Sequence, residues 1–246
     1  MSHAAAVPID RGTSAILDLA RLQGPPASPG KVAMWLFLAT EIMFFTGLIG
    51  TYVVLRAGSP PTSYSNMYSP ARIPSDYPEH GAKVYKWPVP YDAATNPLSI
   101  DLTAFNTFIL ICSSVSMVLA LSGVQRGDQK KLRWWLGVTI LFGSFFLGVQ
   151  FYEYRQLLFV HHFPIGISKS GHFTPDVSLF ASCFFTMTGF HGAHVAAGVV
   201  MLTCIWIQSM RGVYTANHHS PVELVGLYWH FVDLVWIILF TVVYLI

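Results

Sequence analysis

The sequence predicts an all-α integral membrane protein: five transmembrane helices in one bundle, with a long Pro-rich extracytoplasmic loop between helices 1 and 2. Two observations predict it. The chain is 53% hydrophobic and only 11% charged, with a mean hydropathy of +0.51, whereas average soluble domains are about a quarter charged. Five apolar runs, at 32–55, 102–124, 134–152, 177–209 and 223–246, are each long enough to cross about 30 Å of hydrocarbon at about 1.5 Å per residue. The net charge of +2 is too small and too scattered for a nucleic-acid surface, so no nucleic-acid partner is expected. Cys112, Cys183 and Cys204 lie inside apolar runs without a CxxC pattern and read as small buried hydrophobes.

Residues 1–31 form an N-terminal cytoplasmic tail, polar and interrupted by Pro8, Pro25, Pro26 and Pro29. The first apolar run begins at Val32, too late for a secretory signal. Arg11 and Arg21 are balanced by Asp10 and Asp18, which does not suit a transit peptide. A short amphipathic helix over 9–23 is expected to lie at the membrane surface. The transmembrane domain then occupies 32–246. Orientation follows from the basic residues: the connection 125–133 carries Arg126, Lys130, Lys131 and Arg133, the densest basic cluster, and should be cytoplasmic. With Lys31 and Arg211 on the same side, the N-terminus lies inside and the C-terminus outside. The loop 56–101 is then extracytoplasmic. It holds eight of the fifteen prolines, which exclude a regular helix, and its aromatics Tyr64, Tyr68, Tyr77, Tyr85, Trp87 and Tyr91 favour a folded cap over a neighbouring subunit rather than a tether. No internal repeat is evident.

Polar residues inside the spans carry the chemistry. Glu41 falls about 15 Å in from the cytoplasmic end of the first span, where a charge is costly. It is either a structural group, neutral or hydrogen-bonded across an interface, or a proton-active or lipid-contacting one, and it is the candidate for proton uptake and for reaction with hydrophobic carbodiimides. In the last span, Trp229, Asp233 and Trp236 recur at i, i+4, i+7 and share a face, with His230 beside Asp233 at i, i+3. In the fourth span, His191 and His194 lie at i, i+3 next to a small-residue strip of Gly189, Gly192, Ala193 and Ala196. The two histidines are either metal ligands or members of one intramembrane polar network with His230 and Asp233. His161 and His162 fall outside and His218 and His219 inside, so no single cluster collects the histidine pairs. That argues against a membrane desaturase or a transmembrane cytochrome b, and the chain itself is expected to bind neither haem nor a transition metal. An intramembrane His-ligated metalloenzyme is the competing class.

Several motifs together resemble a known family. Thr188-Gly189-Phe190-His191-Gly192-Ala193-His194-Val195, then Asn217-His218-His219, Glu223 and Tyr228-Trp229-His230-Phe231-Val232-Asp233-Leu234-Val235-Trp236, are similar in order and spacing to subunit III of cytochrome c oxidase. The run from Leu36 to Phe45 with Glu41, and Gly148-Val149-Gln150-Phe151-Tyr152-Glu153-Tyr154, match the same pattern. The resemblance is to the five-span bacterial form, which lacks the first two helices of the seven-span form. It implies a bacterial plasma-membrane subunit with no catalytic residue of its own, packed directly against subunit I of a proton-pumping haem-copper oxidase and accompanied by subunit II and other oxidase or supercomplex subunits. Haem and copper are then held by the partner catalytic subunits, and the oxidase reduces oxygen to water with electrons from cytochrome c. The resemblance further implies that Glu41 faces the catalytic subunit near its proton-uptake route and that phospholipid is bound. Where the family commonly offers an arginine for a lipid phosphate, this chain has Gln208; Arg211, His218, His219 and Trp229 are the headgroup candidates. A related quinol oxidase or nitric oxide reductase is the alternative setting.

Overall fold

The structure, a computed structural model, describes residues 28–58, 98–160, 172–175 and 179–245. The expected surface helix at 9–23, nearly all of the loop 56–101, and His161 and His162 lie outside the described residues. The rest comprises five helices long and apolar enough to cross a membrane: α1 (Pro29–Gly58), α2 (Ile100–Gln125), α3 (Gln129–Phe159), α4 (Leu179–Met210) and α5 (Ser220–Phe240), the last running on into a single π-helical turn, Thr241–Leu245.

Local chemistry sets the boundaries. Ser28 opens α1, its Oγ accepting from the Lys31 N–H at 3.4 Å with Pro29 as first helical residue, where its missing N–H costs nothing. At the end of α2, Gly127 takes φ +76°. The Asp128 N–H then returns to Gly123 O at 2.9 Å and the Gly127 N–H to Val124 O at 3.0 Å, the paired bonds that terminate a helix on a left-handed residue. Asp128 at once caps α3 by accepting from the Lys131 N–H at 3.1 Å. That backbone bond holds its carboxyl below the usual range, so the cap's contribution is present above the unfolded value near 4 and is lost as pH falls through the lowered one. The same pattern closes α4, where Gly212 at φ +71° sends its N–H to Ser209 O at 3.1 Å. Pro221 in the first turn then opens α5.

Such short turns force α2 beside α3 and α4 beside α5. The four close into a ring, α2 against α3, α3 against α4, α4 against α5, and α5 back against α2, while α1 leans on α4 and α5 from outside. One end collects Lys31, which pairs with Glu223 at 2.8 Å, together with Gln129, which donates to Tyr214 O, and Arg133, which donates to Ser209 O. The N-terminus of α1 and both short turns thus share one face, as the distribution of basic residues requires. Polar side chains are gathered inside the bundle and large apolar ones cover its outside. Thr103, Asn106, Ser113, Ser116, Gln150 and Thr188 are buried, while Leu36, Met43, Leu141 and Phe151 stand outward, the arrangement expected when lipid is the solvent.

Candidate functional site

Glu41 and His194 form the first polar contact, in the seam between α1 and α4. Glu41 Oε2 lies 3.0 Å from His194 Nε2, and the two side chains are 20% and 18% exposed. His194 Nδ1 is 2.7 Å from Phe190 O. A carbonyl only accepts, so Nδ1 carries a proton. The neutral imidazole then presents a lone pair at Nε2, and one further proton is shared with Glu41: either a neutral acid faces a neutral imidazole, or a carboxylate faces an imidazolium. Both states are neutral overall, which is what a bilayer tolerates. The Tyr228 hydroxyl donates to His194 O at 3.0 Å, and Phe45 lies edge-on to the imidazole at 5.1 Å. Thr40, the residue before Glu41, donates to Phe37 O at 2.7 Å.

The expected network of His191, His194, His230 and Asp233 does not form as one unit. Ser114 of α2 donates to Asp233 Oδ2 at 2.6 Å, and His230 Nδ1 reaches the same hydroxyl at 3.2 Å. The hydroxyl proton is committed to Asp233, so the His230 N–H is the donor in the second bond, and the order is His230 to Ser114 to Asp233. His191 is fully buried, stacked on Trp236 with ring centroids 4.7 Å apart, and its nitrogens meet no partner among the described residues. The correction has a simple cause. Residues at i, i+3 differ by about 60° around a helix, enough for His191 to enter the ring while His194 turns to α1.

Trp229 is also corrected. It is 1% exposed, its Nε1–H donates to Ser113 Oγ at 3.0 Å, and a Cβ at Gly143 would stand 2.5 Å from its ring and one at Gly198 2.8 Å. Its ring fills the gap those glycines leave between α3 and α4, so it holds no lipid headgroup. The anticipated strip Gly189, Gly192, Ala193 and Ala196 is likewise only partly the contact line, since Ala193 is exposed and Gly198 takes the closest approach. Of the other headgroup candidates, Arg211 and His218 are exposed at the rim, while His219 is half-buried at the start of α5. Gln208 accepts from the Tyr214 hydroxyl.

Sequence reading missed Glu153. It is 6% exposed, accepting from Thr103 at 3.1 Å and from the Tyr244 hydroxyl at 3.3 Å, and so ties α2, α3 and the terminal π turn together. A signal was present: the buried residues of α3 run Leu132, Leu136, Thr139, Gly143, Phe146, Gln150, Glu153, Leu157, alternating steps of four and three that place Glu153 on the inward seam.

Residues 28–246 match the family described as cytochrome c oxidase subunit III. The chain belongs to the cytochrome c oxidase subunit III family. Among its relatives, cytochrome c oxidase subunit 3 of Bacillus subtilis (strain 168) is 32% identical over 235 residues, covering 89% of this chain and 92% of that protein. The Synechocystis protein of the same name is 34% identical, covering 86% and 73%, and that of Loxodonta africana is 31% identical, covering 87% and 68%. A subunit III role in a haem-copper oxidase, an oxidoreductase complex of the respiratory chain, follows from the family.

Proposed function

We propose that the chain is an auxiliary, non-redox subunit III of a proton-pumping terminal oxidase, fed by cytochrome c, in a bacterial plasma membrane. The observation that carries the reading is the Glu41–His194 pair, near the middle of two spanning helices and open on one side of the bundle. A pair that shares one proton and stays neutral in either arrangement is suited to stand beside a proton-uptake route of subunit I. Haem and copper belong to the partner subunits. Arg211 and His218, exposed at the rim, are the residues this reading assigns to phospholipid headgroups. The naming of the relatives favours cytochrome c over quinol as electron donor.

Three experiments test it. Glu41 is partly accessible from the apolar side, whereas Asp233 and Glu153 are each 6% exposed, so a hydrophobic carbodiimide should label Glu41 first; mass spectrometry finding Asp233 or Glu153 modified instead would contradict the assignment. Glu41→Gln should assemble and leave the first turnovers of oxygen reduction intact while altering proton uptake or shortening working life under sustained turnover. For orientation, single cysteines at Lys130 and Ala57, on a background without the native thiols, should label from opposite sides of the membrane, Lys130 from the cytoplasm. Labelling of Lys130 from outside would reverse the assignment.

A further inference from the structure

Three buried side chains on three helices of the ring each present polar atoms without a partner among the described residues: Asn106 Oδ1 on α2, Gln150 Oε1 on α3, and both ring nitrogens of His191 on α4. Their surroundings make them neighbours. Asn106 Nδ2 donates to Phe146 O at 3.3 Å, one turn before Gln150, and the Phe146 ring meets His191 edge-on at 5.8 Å. Gln150 Nε2 donates to Thr188 O at 2.8 Å, and its Oε1 would be 2.9 Å from a Cβ at Gly192, the residue after His191.

Neither amide gains by flipping, because each nitrogen already serves a backbone carbonyl and the flip would set oxygen against oxygen. Both amide oxygens therefore remain acceptors in need of donors. His191, stacked on Trp236 and bordered by Phe146, must keep at least one N–H, a donor in need of an acceptor. Buried polar atoms of this kind are rarely left unmatched. The three sets of atoms are complementary to one small molecule that can accept once and donate twice.

We propose that the centre of the α2–α5 ring is an internal water site, with one ordered water accepting from the His191 imidazole and donating to Asn106 Oδ1 and Gln150 Oε1. Water fits the chemistry better than a cation, since all three ligands are neutral; of the buried carboxylates, Glu153 is held by Thr103 and Tyr244, and Asp233 is held through Oδ2 by Ser114, its Oδ1 meeting no partner among the described residues. Two or more polar partners are what holds a buried water in place. The site joins α2, α3 and α4 at one level of the bundle and fixes their axial register, and it places the glycine at 192, where a side chain would push Gln150 out of it.

The test is a water-resolving map of the complex carried out of the membrane by the tagged full-length chain, whatever partners that complex contains, so the outcome does not depend on the functional reading. The expected result is a rounded peak at about 2.7–3.2 Å from one His191 nitrogen, Asn106 Oδ1 and Gln150 Oε1. Direct hydrogen bonds among the three side chains with no peak between them would overturn the proposal, as would a peak with the short contacts of about 2.0–2.4 Å that mark a bound cation. Variants give an independent readout: Gln150→Leu alone, which strands the other two groups, should lower the yield of assembled complex several-fold, and Asn106→Leu, Gln150→Leu, His191→Phe together should restore part of it. A triple variant assembling worse than Gln150→Leu would count against a shared water.

Discussion

Trp229→Ala is expected to deplete the folded chain from the membrane more than any other single truncation. The indole fills the space left by Gly143 on α3 and Gly198 on α4 while its N–H reaches Ser113 on α2, so one side chain from α5 contacts the three other helices of the ring. Lipid tails are as apolar as a tryptophan ring, and the stabilisation comes from close packing rather than from exclusion of water. The cost is then mostly that of the cavity, about 3 kcal/mol at the lower end of the range for such truncations, against a total stability of about 5–15 kcal/mol. Gly143→Leu should be comparably harmful from the opposite direction, because its Cβ alone would lie 2.5 Å from the ring. Trp229→Phe should fall between. Thermal unfolding of the purified complex in detergent, followed through release of this chain, measures all three. An unchanged transition for Trp229→Ala would mean that this tryptophan is not the centre of the packing.

His194→Leu should be the most damaging change at the α1 seam. It leaves Glu41 without its 3.0 Å partner near the middle of a spanning helix, where a lone charge costs about 3 kcal/mol on insertion scales, and the carboxyl escapes that cost only by keeping its proton. The prediction is a complex that assembles poorly or loses this chain on washing. The double variant Glu41→Leu, His194→Leu should assemble better than His194→Leu alone, because no polar group is stranded. Its working life in sustained turnover should remain short, since the proton-sharing pair is gone. Equal assembly of the single and double variants would show that the pair does not hold α1 in place, leaving that task to Lys31 and Glu223 at the helix end.

How much of this was legible in the sequence depends on what each feature rests upon. The five spans were legible because length and hydropathy alone decide them, while the ends of the helices are set by local chemistry that hydropathy does not see, the Asp128 cap that opens α3 and the left-handed Gly127 and Gly212 that stop α2 and α4. The grouping of basic residues at one end followed from the same count. The partners of the buried polar groups were not legible. Helical spacing places His191 and His194 near each other but says nothing of which neighbour each meets, and that is set by where α1 leans. Ser114, the hydroxyl between His230 and Asp233, carries no signal of its own among the serines of α2. Glu153 was legible in principle, through the alternating steps of four and three along α3, yet read by hydropathy alone it looked like the end of a span. Trp229 was misplaced because a tryptophan near a polar motif fits a membrane interface as well as a core; only the two facing glycines decide between them.

The most direct measurement of the central claim is to purify the complex by a tag on this chain, record its reduced-minus-oxidised spectrum, and then strip the tagged chain away and record the spectra and activity of both fractions. The account predicts a haem signature and oxygen reduction in the complex, a depleted fraction that keeps its haem and its first turnovers but fails sooner under sustained turnover, and a separated chain with no Soret band and no stoichiometric transition metal. A Soret band or a one-to-one metal on the separated chain, lost in a variant carrying His191→Ala and His194→Ala, would contradict it.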